Sequence, residues 1–267
     1  MRWALFVEGS EPSAKPTLAE VWDDICKQLS LQPPCAVFPI SKKHLLAMDP
    51  INPKMSGAAE GLDALLTRKW QSQSQQGQGV FDAAVILWDL YPAWSKVGTA
   101  CRWQETLALY QHMQTRKRLP PLFDAWVGSR HQALTTRAVA SARIAPVSLA
   151  PGAILPLCMV PEFEDWLCQD EASLKVALEL TGQRTPRKWP DFSVTAGLRP
   201  KKQLSQAIAA VQSVAPLPAV CRKVRGDWHT NQLGWTRYLC KELIRQDANR
   251  WSSHPIPRRL REILPHV

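Results

Sequence analysis

The sequence predicts an α/β protein built on a mainly parallel β-sheet that is flanked by helices. Short apolar runs of strand length alternate along the chain with segments whose apolar residues recur at helical spacing. Runs such as Trp3 to Val7 are apolar at every position, which is typical of strands buried on both faces of a parallel sheet. A chain of 267 residues, 45% of them hydrophobic, is also large enough to bury a core of this kind.

Four segments are predicted as strands, and most of the sequence between them is predicted as helical. In the helix between the first two strands, Leu18, Val21, Trp22, Ile25 and Leu29 recur at helical spacing. The strands are expected at residues 2–7, 35–40, 82–88 and 153–160, further helices at 56–70 and 99–117, and a polar loop at 71–79. Residues 117–143 give an ambiguous pattern.

Acidic residues follow three of the predicted strands. Glu8 ends the first run, Asp89 ends the third, and Glu162 and Glu164 come shortly after the fourth. Because the carboxyl ends of parallel strands meet at one edge of a sheet, these carboxylates are expected to converge and to suit Mg²⁺ or Mn²⁺. The alternative for any one of them is a helix cap, worth about 0.3 to 1 kcal/mol. The occurrence of three together favours the metal site.

Positive charge is concentrated in the last third of the chain. Residues 184–267 contain 16 Lys and Arg against 5 Asp and Glu, whereas residues 1–183 contain 17 against 18. We therefore predict an α/β core at 1–183 and a basic, mostly helical C-terminal extension at 184–267 that packs on the core. Such a segment fits phosphate binding, but a solvated basic face or a surface for an acidic partner protein fits it equally well.

The basic segment also offers specific residues for contact with nucleic acid. Trp228, Trp235 and Trp251 are either base-stacking residues or core residues, and in a chain with 12 tryptophans the core is the stronger expectation. His229 lies in a polar run with Asp227 and Asn231, where a surface or capping role is favoured over a nuclease loop. The candidate phosphate contacts are Lys201, Lys202, Arg222, Lys223, Arg225, Arg258 and Arg259.

Several functional classes are disfavoured by what the sequence lacks. No apolar run approaches the roughly 20 residues of a membrane span, so we expect no membrane association and a cytoplasmic location. The 7 cysteines are scattered and form no C-x-x-C pair, which argues against a disulfide framework or a zinc ribbon. No G-x-x-x-x-G-K-[ST] loop is present, so the chain is not expected to be an ATPase itself.

Three motifs in order resemble the Toprim-like families of bacterial defence and mobile-element proteins. These families are related to the nucleases of the RloB and overcoming-lysogenization-defect types, and the best resemblance is to a small bacterial Toprim-related family of unknown function. The motifs are "VEGSE" at residues 7–11, "ILWDLY" at 86–91 and "EFEDWLCQDEASL" at 162–174. In the third, the residues that match the family element are Glu162, Glu164, Trp166, Leu167 and Asp170.

The resemblance implies a Toprim-like fold and a Mg²⁺- or Mn²⁺-dependent endonuclease that acts on nucleic acid. It also implies a role in bacterial anti-phage defence with an ATPase partner. Glu8 would be a metal ligand or general acid/base, and Asp89 would be a metal ligand with a catalytic role. Where the Toprim pattern has a second Asp, this chain has Tyr91, so Glu162 or Glu164 would have to replace the missing acid. The alternative is a catalytically silent module that binds nucleic acid or a partner protein.

Overall fold

The structure is a computed structural model that describes part of the chain. The described residues are 1–9, 17–41, 44, 65–66, 68–69, 81–89, 149, 151–152, 154–159, 162–180, 182, 185–192 and 200–266. Of the predicted helix at 56–70, residues 65, 66, 68 and 69 are described and are helical. The predicted helix at 99–117, the loop at 71–79 and the ambiguous segment at 117–143 lie outside the described residues.

The described strands form an all-parallel, 4-stranded sheet, which confirms the predicted α/β class. The strands are β1 (Trp3–Glu8), β2 (Ala36–Ile40), β3 (Ala83–Asp89) and β4 (Ile154–Met159). Their order in the sheet is β2-β1-β3-β4. Each observed strand overlaps its predicted segment, with bounds that differ by at most one residue, so the four strand predictions are confirmed.

Burial explains why the two central strands are apolar throughout. Residues 3–7 of β1 and residues 83–88 of β3 are all buried, as a strand covered on both faces must be. Residues 36–39 of β2, at one edge of the described sheet, are only half-buried. The register pairs Val7 with Leu87, so the last residues of β1 and β3 lie at the same edge.

The chain divides into two compact units. The first contains residues 1–11, 31–160 and 259–267, and therefore the whole described sheet. The second contains residues 12–30 and 161–258. The predicted division at residue 183, with its C-terminal extension packed on the core, stays a prediction.

The remaining described elements are helices. They are α1 (Leu18–Gln28), α2 (Glu164–Cys168), α3 (Glu171–Ala177), α4 (Pro200–Gln212), α5 (Ala219–Lys223), α6 (Gln232–Gln246), α7 (Ala248–Ser253) and α8 (Pro255–Ile263). The helix predicted between β1 and β2 is thus confirmed, and the basic C-terminal region is mostly helical. None of the described helices is long and apolar enough to cross a membrane.

Helix α6 is the centre of the second unit and packs against α1, α2, α3 and α7. Its residues Trp235, Leu239 and Leu243 recur every four positions and are buried, so they form one continuous apolar face. On its flank, Arg237 forms an ion pair with Asp24 of α1. Four helices of this unit therefore pack around one amphipathic helix.

Leu239→Ala is expected to destabilise the protein by about 2 to 5 kcal/mol, because the truncation leaves a cavity in the centre of the α6 face. Chemical denaturation of the full chain measures this loss. Lys241→Ala, on the exposed side of the same helix, is the matched control and should change stability by less than about 0.5 kcal/mol. An equal loss in both variants would contradict the central position assigned to Leu239.

Candidate functional site

The carboxyl edge of the sheet brings Glu8 and Asp89 together. Glu8 is the last residue of β1 and Asp89 is the last residue of β3, and both are half-buried. The backbone N–H of Asp89 donates a hydrogen bond to Glu8 Oε2 at 3.2 Å. Two acids that are 81 positions apart in the chain therefore meet at one edge, as the sequence predicted.

This edge is also the point at which the strand order reverses. The chain leaves β1 toward β2 on one side and later crosses to β3 on the other side. In open α/β sheets, ligands bind in the crevice that forms at such a reversal, beside the carboxyl ends of the strands. Glu8 and Asp89 belong to the two strands that border this position.

Glu8 does not cap the helix that follows its strand. The N-cap of α1 is Thr17, whose hydroxyl oxygen accepts the N–H of Glu20, while Glu20 Oε2 accepts the N–H of Thr17. This capping box satisfies the start of α1 without Glu8. The structure thus removes the capping alternative for the first acid. The residues that follow Asp89 lie outside the described part of the chain.

The donor set at this edge fits a hard divalent cation. Carboxylate oxygens are the ligands that Mg²⁺ and Mn²⁺ prefer, and Mg²⁺ usually takes only one or two protein carboxylates together with water and substrate phosphates. Among the described residues, no group of three or more His, Cys, Asp or Glu is close enough to hold a metal ion. Within the described part of the chain, Glu8 and Asp89 are the carboxylates at this edge that could hold a cation together with water and phosphate oxygens.

Glu162 and Glu164, the other two predicted metal ligands, lie in the second unit and are both buried. Glu162 Oε2 accepts the backbone N–H of Lys201 at 3.1 Å, at the start of α4. Glu164 Oε1 accepts the side-chain N–H of Gln232 at 3.1 Å and lies 3.8 Å from the Lys201 ammonium. These contacts give both carboxylates a structural role in joining α2 to α4 and α6. Their predicted role as metal ligands stays a prediction.

Asp170, the last acid of the third motif, is the N-cap of α3. Its carboxylate accepts hydrogen bonds from the backbone and the hydroxyl of Ser173, and it pairs with Arg250 at 3.1 Å. Burial raises the pKa of the Asp170 carboxyl, but the hydrogen bonds from Ser173 and the charge of Arg250 outweigh it, so the pKa lies below its ordinary value. Asp170 therefore has a structural role as a helix cap.

Most of the predicted phosphate contacts lie at the surface of the second unit. The exposed ones are Lys201, Lys202, Arg222, Lys223, Arg225 and Arg258. Arg259 belongs to the first unit, and its side chain is outside the described part. Lys223 pairs with Glu179 at 3.1 Å, and Lys201 lies near Glu164, so these two charges are partly neutralised.

The base-stacking interpretation of the three tryptophans is wrong. Trp228, Trp235 and Trp251 are each at most 1% exposed, because they fill the interior of the second unit. The indole N–H of Trp235 donates to the carbonyl oxygen of Gly226 at 3.0 Å. Trp166 of the third motif is buried as well, in edge-to-face contact with Phe163.

Glu179 is a positioning residue that sequence analysis missed. It follows α3 with φ 59°, a left-handed conformation that usually requires glycine. Its Oε2 accepts the backbone N–H of Val220 at 2.8 Å and its Oε1 pairs with Lys223, so it fixes the start and the end of α5. The only sequence signal is an acid directly after a helix. That position gives no hint that the acid caps a helix 41 residues later.

The loop between α5 and α6 is held by its own hydrogen bonds. Asp227 Oδ1 accepts the backbone N–H of Thr230 at 2.8 Å and the Thr230 hydroxyl at 2.9 Å. Asn231 caps α6 through Gly234 N–H and donates to the carbonyl oxygen of Arg225 at 2.8 Å. Gly226 has φ 85°, and a Cβ there would lie 2.7 Å from the Thr230 hydroxyl, so the turn requires glycine. His229 is exposed on this loop, as the surface interpretation predicted.

Comparison with protein-family models, with curated proteins and with solved structures finds no match for this chain.

Glu179→Gln is expected to destabilise the protein by about 1 kcal/mol at neutral pH, because α5 loses a charged cap and Lys223 loses its partner. Burial raises the pKa of Glu179, but the hydrogen bonds from Val220 and Lys223 outweigh it and hold the pKa below the ordinary 4.5. Because the pKa of Glu179 is lower in the folded than in the unfolded protein, its ionised carboxylate stabilises the fold at pH values above the unfolded pKa. This stabilisation is lost as the pH falls through the folded pKa. The difference between wild type and variant should therefore shrink below pH 4.5.

Denaturant titrations across the acidic range measure this difference. Glu242→Gln is the control, since Glu242 pairs only locally with Arg245 on the same helix among the contacts described, and such a pair contributes little. A difference between wild type and Glu179→Gln that is constant with pH, or equal to that of the control, would contradict the capping role of Glu179.

Proposed function

We propose that this chain is a Mg²⁺- or Mn²⁺-dependent phosphodiester hydrolase of Toprim type that acts on nucleic acid. The observation that carries the proposal is the meeting of Glu8 and Asp89 at the carboxyl ends of adjacent strands, where the strand order reverses. This is the arrangement that the resemblance to Toprim-like nucleases requires of these two residues. The role in bacterial anti-phage defence and the ATPase partner belong to the same proposal and derive from the resemblance alone.

The chemistry of the donors supports a cation at this edge. Glu8 and Asp89 bring two carboxylates to the ends of adjacent buried parallel strands, and a divalent cation between them would offset their mutual repulsion. A carboxylate has about four lone-pair sites, so one that accepts the hydrogen bond from Asp89 N–H can also ligate a cation. The same bond orients the Glu8 side chain before any ligand arrives.

In the proposed reaction, Glu8 and Asp89 are the residues that would hold the cation and the phosphate it carries. A bound Mg²⁺ or Mn²⁺ supplies Lewis-acid polarisation of the phosphodiester and a more acidic water. The strand ends keep the two carboxylates at fixed positions, so little reorganisation is needed as charge develops. A carboxylate at this edge can also accept the proton of the attacking water, which is general-base catalysis.

Glu8→Gln and Asp89→Asn should each reduce Mn²⁺-dependent cleavage of nucleic acid by about 100-fold or more, because the amide keeps the shape but removes the charge. Neither variant should lose stability, since crowded like charges are relieved when no cation is bound. Gel assays of cleavage, together with melting temperatures measured with and without Mn²⁺, test both expectations. Mn²⁺ should raise the melting temperature of the wild type and not of the variants.

Asp82→Asn is the matched control for these variants. Asp82 lies just before β3, at the opposite edge of the sheet, and its carboxylate accepts the backbone N–H of Arg2 at 2.8 Å. The substitution removes the same charge next to the same two strands and should leave both cleavage and the Mn²⁺ effect unchanged. Unaltered cleavage by Glu8→Gln and Asp89→Asn would refute the proposal. Wild-type protein that binds Mn²⁺ without cleaving would favour the silent binding module.

A further inference from the structure

We infer that the second unit binds the phosphate backbone of a nucleic-acid duplex through one preformed basic surface. This basic surface consists of Lys201 and Lys202 at the start of α4, Arg222 and Lys223 at the end of α5, and Arg225 and His229 in the loop before α6. The inference takes nucleic acid as the ligand class from the proposed function, but it uses no residue of the Glu8 and Asp89 site.

Two contacts join α4 to the loop that carries Arg225 and His229. His229 Nε2 lies 3.2 Å from the hydroxyl oxygen of Ser205, which is one helical turn after Lys201 and Lys202 on α4. Near the other end of α4, the side-chain N–H of Gln212 donates to the carbonyl oxygen of Gly226 at 2.9 Å. The loop therefore runs along α4 from its end back to its middle, and places Arg225 and His229 beside the helix.

The surface is held in place before any ligand binds. Asp227 and Thr230 close the turn, Asn231 holds the Arg225 carbonyl oxygen, and Glu179 fixes α5 through the Val220 N–H. A rigid arrangement loses little conformational entropy when it binds, so exposed cations on it contribute more to affinity than cations on a flexible tail.

The charge of this segment matches a polyanion. Residues 200–231 contain five Lys and Arg and one acid, Asp227, whose carboxylate is engaged by Thr230. Within the described part of the chain, neither Lys202 nor Arg225 has an ion-pair partner, whereas Lys201 and Lys223 lie near Glu164 and Glu179. Lys202 and Arg225 are therefore the two cations most available to phosphate.

The chemistry of the surface favours a duplex backbone over a single strand. Proteins that hold single strands combine basic grooves with exposed aromatic rings on which bases stack. The only Trp, Tyr or Phe in residues 200–231 is Trp228, and it is buried. Along α4, the positions from Lys202 to Gln212 span about 15 Å, a length over which duplex DNA presents about nine phosphate charges. Binding should thus be independent of base sequence.

The test is fluorescence anisotropy of the full chain in EDTA, with a short labelled DNA duplex and with one of its single strands. The double variant Lys202→Glu, Arg225→Glu should bind the duplex about tenfold more weakly, and the slope of log affinity against log salt should fall in magnitude by about 1.8, or 0.9 per lost contact. The wild type should bind the duplex more tightly than the single strand.

Lys241→Glu is the matched control, because Lys241 is exposed on α6. It lies four residues from Arg237 and from Arg245, so a glutamate there can pair with either arginine across one helical turn. It should change affinity by less than about twofold. Unchanged binding by the double variant, an equal loss in the control, tighter binding of the single strand, or no binding of nucleic acid at low salt would each overturn the inference.

Because EDTA removes divalent cations, this result is independent of the cleavage assay. If the double variant bound the duplex as tightly as the wild type while cleavage was intact, the inferred duplex surface would be wrong. The proposed cleavage reaction would be unaffected. If the double variant lost duplex binding and the wild type cleaved no nucleic acid with Mn²⁺, the surface would be supported and the proposed reaction would be refuted.

Discussion

The parallel pairing of β1 with β3 in the middle of the sheet is the constraint on which the candidate site depends. Strands that run in the same direction end at the same edge, so the register that pairs Val7 with Leu87 also places Glu8 and Asp89 at that edge. A shift of one residue would exchange the side chains of a strand between its two buried faces and disrupt the close packing of both. The burial of both strands therefore fixes the position of the two acids. The strand order reverses at this pair, which is the position at which open α/β sheets bind ligands.

The second unit obeys a different constraint, which is the need of helix N-termini for hydrogen-bond acceptors. Asp170 serves α3, Glu162 serves α4 and Glu179 serves α5. These three acids are thus used at helix starts, which favour negative charge. Some basic residues of the unit also have structural partners, since Arg237 pairs with Asp24 and Arg250 with Asp170. Lys202 and Arg225, by contrast, are exposed.

Sequence reasoning works where one local pattern decides the outcome. The apolar runs of β1 and β3 could only be buried strands, and the helical spacing from Leu18 to Ile25 could only be an amphipathic helix. Convergence of Glu8 and Asp89 followed once the strands were taken as parallel. The strand order was not in the sequence, because it depends on which strands pair across long connections.

The same reasoning fails where a residue acts across the fold. Glu162 and Glu179 each cap a helix about 40 residues further along the chain, and nothing in their local sequence distinguishes them from solvent-exposed acids. Trp228 stands in a polar run with the composition of a surface loop, and its burial was expected only from the general tendency of tryptophans to lie in the core, which the structure confirms. The surface or capping role of the polar run around His229 could be predicted locally, because Asp227 and Asn231 are residue types that favour turns and caps.

The proposed function requires that Glu8 and Asp89 together hold a divalent cation. Crystals of the full chain soaked in Mn²⁺ and measured for anomalous scattering test this requirement. We expect an anomalous peak bonded to carboxylate oxygens of both residues, at the edge of the sheet where β1 and β3 end. A Mn²⁺ peak bonded elsewhere, with the Glu8 and Asp89 carboxylates bound only to protein groups and water, would contradict it.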